Sequence, residues 1–227
     1  MPTIAIVGAG PGLGLAIAHR FGREGFKTAL ISRSQSRLDA LADGLAAAGI
    51  EAAGLAADVT DRPSLRAALA AAAERFDGID VLEYSPAPHD GAPALAPVDV
   101  AQVTVEDIQP QVEYYVYGGI TAAQAVLPGM LERGRGTLLF TTGASSLLPF
   151  PPMGNIGIGA AGLRNYVLAL NAALTDKGVY AAHVPLATWI GSGGPETQAD
   201  TIAGIYWELY TSRDQAERLY STLDLPS

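Results

Sequence analysis

Short apolar runs alternate along the chain with longer stretches whose apolar residues recur at helical spacing. Residues 4–7 (Ile-Ala-Ile-Val) form the first such run. Leu13, Ala16, Ile17 and Phe21 then fall on one helical stripe. The alternation continues with a strand over residues 28–31, then a helix carrying Leu38, Leu41 and Leu45, then a strand over 52–57. Thr60 or Asp61 caps the next helix, with Pro63 in its first turn. Further strands are predicted at 79–83, 137–141 and 179–184. Thr104 and Asp107 have capping-box spacing, and Pro110 is expected to open the main part of a long helix running to about Glu132. Leu163, Val167, Leu170 and Leu174 mark another helix, and residues 202–210 a late one. Strands that alternate with helices of this length imply βαβ units, a parallel sheet and right-handed crossovers. The Pro- and Gly-rich stretches 86–97, 149–159 and 191–195 follow the fourth, fifth and sixth strands. Such sheets bind ligands beyond the carboxyl ends of their strands, so these stretches are candidate site walls.

Composition narrows the partners. The chain has 227 residues, which suits a single α/β domain over 1–227, and no internal boundary is visible. It is 49% hydrophobic and 16% charged, enough apolar material for a sizeable core. The formal net charge of -9 repels nucleic acid and anionic lipid, leaving a small-molecule ligand as the expected partner. There is no cysteine, hence no disulfide and no thiolate chemistry. His19, His89 and His183 lie far apart without metal-ligand spacing, so no metal is expected. Neither a secretory signal nor a membrane-length apolar run is visible, which points to a cytoplasmic protein.

The chemistry starts at Gly8-Ala9-Gly10-Pro11-Gly12-Leu13-Gly14, between the first strand and the first helix. Glycines there permit a tight turn and let the backbone approach a pyrophosphate, with the helix N-terminus supplying free amides. The strand–loop–helix context makes this a dinucleotide fingerprint, with Gly8, Gly10, Gly12, Leu13 and Gly14 as binding residues. A doubly wound Rossmann-type fold follows, its mostly parallel sheet flanked by helices. The second strand ends in Ser32-Arg33, where a site selective for NAD(H) places an acid. A guanidinium suits a 2′-phosphate, which favours NADP(H) over NAD(H). Asp58-Val59 ends the third strand, and Asp58 is placed to accept from an adenine amino group.

These residues resemble the short-chain dehydrogenase/reductase family. Its GxxxGxG pattern is matched by Gly8, Gly12 and Gly14, and its Asp-Val pair by Asp58-Val59. Leu127-Pro128, Gly136-Thr137-Leu138-Leu139-Phe140 and Ala161-Gly162-Leu163-Arg164 match later family segments. The resemblance implies a seven-stranded sheet and a homodimer or homotetramer packed through the family's fourth and fifth helices. It also implies a Tyr that moves a proton, a Lys four residues later, an upstream Ser and a helical Asn. Here those positions hold Ile156, Ala160, Gly143 and Tyr115. Lys27 and Lys177 are the only lysines, and neither follows a Tyr by four.

Replacement groups are therefore sought nearby. Tyr115, with Tyr114 and Tyr117 beside it, and Ser145, with Thr141, Thr142 and Ser146, are the candidates for substrate chemistry. His89 could donate a proton and Asn155 could orient a ligand. Aromatic packing is the competing role for Tyr115. The thin start of the next helix, with Gly154, Gly157, Gly159 and Gly162, suits either a bulky ligand or close helix approach across a dimer. Three functions follow: an oxidoreductase for a carbonyl or alcohol, whose hydrophobic character the apolar loop 147–153 suggests, with a non-standard proton donor; a non-catalytic nucleotide-binding sensor or scaffold; and a non-redox lyase or isomerase.

Overall fold

The computed structural model describes residues 1–87 and 93–224. Its strands are β1 (Thr3–Val7), β2 (Lys27–Ser32), β3 (Ala52–Ala56), β4 (Val81–Tyr84), β5 (Gly136–Gly143), β6 (Val179–Ala187) and β7 (Tyr220–Ser221). They form one parallel sheet in the order β3-β2-β1-β4-β5-β6-β7. The chain winds outwards from β1 to β3, then returns to place β4 on the other side of β1. That reversal opens a crevice at the carboxyl end of β1, where the glycine loop emerges.

Strands in such a sheet are covered on both faces, hence their nearly unbroken apolar runs. One face packs against α1 (Leu13–Gly22), α2 (Gln35–Ala47) and α7 (Ala199–Ser212). The other carries α3 (Arg62–Phe76), α4 (Val105–Gln111), α5 (Gly118–Glu132) and α6 (Gly154–Leu174). Phe21 of α1 is fully buried edge-on against Phe26, Trp207 and Tyr210, which locks α1 to α7. Burial of one such ring contributes about 1.5–3 kcal/mol.

Two helix starts differ from expectation. The Thr104–Asp107 capping box is formed, but Pro110 lies inside α4 and does not open a helix. Lacking an N–H, Pro110 interrupts the hydrogen-bond ladder, and the next residues, Val112–Tyr117, wind as a π-helical segment that continues into α5. Part of the stretch 149–159 is not loop: α6 already begins at Gly154. Glycine disfavours a helix by about 1 kcal/mol per residue. Close packing within the chain offsets this. A Cβ on Gly154 would meet Val100, on Gly159 the Gln111 backbone, and on Gly162 the Val116 side chain. Among the described residues these glycines thus serve close approach inside one chain.

Candidate active site

The loop after β1 is shaped by contacts that exclude side chains. Gly8 has φ +102, and a Cβ there would lie 2.6 Å from the Pro86 backbone. The amides of Gly8 and Ala9 both donate to the Ile31 carbonyl, at 2.9 and 3.1 Å, which ties the loop to β2. Beyond them, the amides of Gly12, Leu13 and Gly14 donate to no backbone carbonyl among the described residues, and α1 has no side-chain cap. At Gly10 and Gly12 nothing lies within 4 Å of where a Cβ would stand. Free amides, the positive end of a helix dipole and open space over the loop fit a pyrophosphate. A cavity of about 300 Å³ adjoins the loop, lined by Pro11, Gly12, Leu15, Gln198 and Asp200.

The neighbouring strand ends carry the other residues expected at the nucleotide. Ser32 is half-buried, and the exposed Arg33 makes no ion pair or hydrogen bond among the described residues. Its guanidinium is thus uncommitted. Asp58 uses Oδ1 to accept from the Thr60 amide and hydroxyl, at 2.9 and 2.7 Å, while Val59 is buried. Helix α3 is capped by Asp61, whose carboxylate accepts from the Ser64 amide. Tyr114 was overshadowed by Tyr115 in the sequence, yet its phenol feels both Arg33 and Asp58. Burial, then Tyr115, pushes that phenol's pKa up, with Arg33 opposing and Asp58 adding to the shift.

The π-helical segment turns both Tyr114 and Tyr115 inward, each only 7% exposed, with rings edge-on at 5.4 Å. Tyr117 stays partly exposed beneath the Arg62 guanidinium. Burial pushes the Tyr115 phenol up to about 12, and its hydroxyl has no hydrogen-bond partner among the described residues. Ser145 is half-buried in a short 3₁₀ turn (Ala144–Ser146) facing Gly157 of α6. Asn155 is spent on structure: its side chain accepts from the Val98 amide and donates to the Ala96 carbonyl, both at 2.9 Å. Ala160 is fully buried and Ile156 partly so, leaving no titratable group at either position. His89 lies outside the described residues.

Two polar networks at the carboxyl ends of β4–β6 were not visible in the sequence. Glu83 of β4 is fully buried on the α7 face. Its two carboxyl oxygens lie 2.8 Å from the Ser85 hydroxyl and 3.0 Å from the Thr141 hydroxyl, and Thr141 lies 2.7 Å from the Tyr206 hydroxyl. Burial pushes the Glu83 carboxyl up to about 8, against the two hydroxyl bonds, so it is protonated at neutral pH. On the opposite face, Thr142 Oγ1 lies 2.8 Å from Nε2 of the fully buried His183, and His183 Nδ1 lies 2.9 Å from Glu217. Arg164 donates twice to Glu217, at 2.5 and 2.9 Å. Ser146 Oγ extends the chain, 2.9 Å from Thr142. The only hint in the sequence was one titratable residue inside each of two apolar strands.

At the opposite end of the sheet a cavity of about 560 Å³ is lined by Lys27, Arg133, Arg135 and Arg213 with Asp77 and Asp80. Helices α3, α5 and α7 end there, so these cations answer their C-terminal dipoles, far from the glycine loop.

Comparison with known proteins gives this geometry a family. The short chain dehydrogenase family model matches residues 2–188. The chain belongs to that family. A serine 3-dehydrogenase from Rhizobium radiobacter is 30% identical over 206 residues, covering 88% of this chain and 79% of the relative. The structure of an L-sorbose reductase from Gluconobacter frateurii, complexed with NADPH and L-sorbose, superposes with a TM-score of 0.83. It is 19% identical, covering 97% of this chain and 95% of that one. An alcohol dehydrogenase from the archaeon Thermococcus sibiricus, complexed with 5-hydroxy-NADP, gives a TM-score of 0.81 at 23% identity, covering 100% and 99%. The doubly wound short chain dehydrogenase fold is thus confirmed, with its seventh strand formed by β7. No helix among the described residues is long and apolar enough to cross a membrane.

Proposed function

We propose that this short chain dehydrogenase is an NADP(H)-dependent oxidoreductase acting on a small carbonyl or alcohol. The observation that carries it is the uncommitted Arg33 at the end of β2, beside a glycine loop whose amides and open face suit a pyrophosphate. The loop residues Gly8, Gly10, Gly12, Leu13 and Gly14 would cradle the pyrophosphate. Ser32 and Arg33 would hold the 2′-phosphate, and Asp58 and Val59 the adenine. When bound, the nicotinamide would supply or accept a hydride. Support comes from the relatives, since serine 3-dehydrogenase and L-sorbose reductase are named for alcohol and carbonyl chemistry, and the second was solved with NADPH. Tyr115 and Ser145 are the residues we assign to the substrate side, and a homodimer or homotetramer is the expected assembly.

A second reading, a non-catalytic nucleotide-binding protein, is favoured by Ile156 and Ala160, which carry no proton. One experiment separates the two. NADPH at about 100 times its Kd should stabilise the fold by about 2.7 kcal/mol. Turnover of any member of a carbonyl and alcohol panel then establishes the enzyme. A thermal shift without turnover leaves the binding protein, and no shift refutes both.

A further inference from the structure

Resting on the oxidoreductase reading above, we infer that Ser146, Thr142 and His183 form a proton path, oriented by Glu217, which replaces the missing Tyr and Lys. Three facts converge on it. The path begins in the turn after β5, beside the exposed Gly143 that stands at the family's Ser position. It passes through groups that are at most 5% exposed. It ends at Glu217, whose carboxylate is 24% exposed and therefore touches solvent. An apolar residue would fill the His183 position in β6 without any of this apparatus, because buried polar groups stabilise only when fully bonded.

The hydrogen-bond directions allow a proton to move. The charged groups facing His183 are Glu217, beside β6, and Arg164, on α6. Desolvation lowers the His183 pKa against the pull of Glu217, so the ring is neutral at pH 7. A carboxylate only accepts, so the ring proton must sit on Nδ1 and point at Glu217. Nε2 is then an acceptor, and the single Thr142 hydroxyl proton points to it. Once the ring becomes an imidazolium, Nε2–H donates to Thr142, and that hydroxyl must swing to Ser146 Oγ, 2.9 Å away, or to the Gly143 carbonyl, 3.1 Å away. Ser146 itself donates to the Gly143 carbonyl at 2.9 Å in the resting arrangement.

Oxidising an alcohol breaks its C–H bond with the electron pair leaving as hydride, which a bound nicotinamide would accept, and releases one O–H proton. The Ser146 hydroxyl first turns from the Gly143 carbonyl to Thr142 Oγ1, 2.9 Å away; Ser146 then takes the substrate proton as its own passes to Thr142, and the Thr142 proton passes to Nε2. The imidazolium is held beside Glu217 until product leaves, and the Nε2 proton then returns through Thr142 and Ser146 to water in the emptied site, which restores the Nδ1–H ring. Carbonyl reduction runs the same path backwards. Ser146 is the group that would touch substrate, and Glu217 with Arg164 is a positioning pair.

The test has a spectroscopic and a kinetic arm. In protein labelled with ¹⁵N-histidine, His183 should be Nδ1-protonated and neutral at pH 7. Thr142→Val should move its Nε2 resonance and Thr142→Ser should restore it. An Nε2-protonated ring, or one indifferent to Thr142→Val, overturns the path. In the kinetic arm, Thr142→Val should slow turnover of the active panel compound by roughly 10²–10⁴-fold, the usual worth of acid–base catalysis. It should also abolish the low-pH limb of the rate profile, with NADPH affinity unchanged, while the unpaired His183 Nε2 lowers the melting temperature in Thr142→Val and Thr142→Ser restores it. Thr142→Ser should recover most of the rate. Wild-type rate and pH profile in Thr142→Val refute the path alone. Absence of turnover from the whole panel refutes the oxidoreductase reading and the path with it.

Discussion

Glu83→Gln isolates the buried carboxyl of β4. In the folded protein Glu83 titrates at about 8, while an unfolded glutamate titrates near its ordinary 4.5. Between those values the unfolded chain is ionised at this position and the folded chain is still protonated. The unfolded state therefore binds fewer protons, and stability falls as pH rises through this window. The maximum slope is about 1.4 kcal/mol per pH unit. Integrated, the loss is roughly 1 kcal/mol at pH 5, 3 kcal/mol at pH 7 and 4–5 kcal/mol at pH 9. Glutamine mimics the protonated acid, since it can accept from Thr141 or Ser85 and donate to the other hydroxyl, but it never ionises. The variant should match wild type within about 1 kcal/mol at pH 5 and exceed it by roughly 4 kcal/mol at pH 9, a large part of a domain's total stability. Urea unfolding followed by the fluorescence of Trp189 and Trp207 at several pH values measures this. Because His183 and Glu217 titrate in both proteins, the difference between the curves reports Glu83 alone. Parallel curves from pH 5 to pH 9 would show that Glu83 is ionised in the fold, and the burial argument would fail.

Other consequences can be checked separately. Arg33→Ala should weaken NADPH about 10–100-fold, the worth of a charge-assisted bond of about 1.5–3 kcal/mol, while leaving NADH nearly unchanged. Calorimetry with both nucleotides decides it, and equal losses refute the 2′-phosphate assignment. Gly8→Ala should eliminate the NADPH thermal shift, because the new Cβ meets Pro86 and φ +102 is strained for alanine. An undiminished shift would mean that the loop does not hold the nucleotide. Gly118→Ala places a methyl on the Tyr84 hydroxyl, which itself donates to the Tyr114 carbonyl at 2.5 Å. It should cost about 1–3 kcal/mol in chemical denaturation, and less in a Tyr84→Phe background. Equal costs in both backgrounds would exclude that clash.

Much of the architecture was legible because its causes are local. A strand buried on both faces needs an apolar run, and a helix against a sheet needs a stripe, so residues 4–7 and the Leu13–Phe21 stripe announced β1 and α1. The glycine loop and the Thr104–Asp107 capping box are equally local, since a few adjacent backbone groups dictate the residues that serve them. The early start of α6 could not be read in this way. Its glycines oppose a helix in isolation, and only Val100, Gln111 and Val116 packed against them make that helix favourable. Nor could the polar networks be foreseen. Thr142 and His183 are 41 positions apart, and His183 and Glu217 are 34. They meet because β5 and β6 are neighbours in register and alternation sends both side chains to the α6 face. Periodicity shows that a residue is buried. Sheet order and register decide what it is buried against, and for Glu83 and His183 that neighbour sets the protonation state.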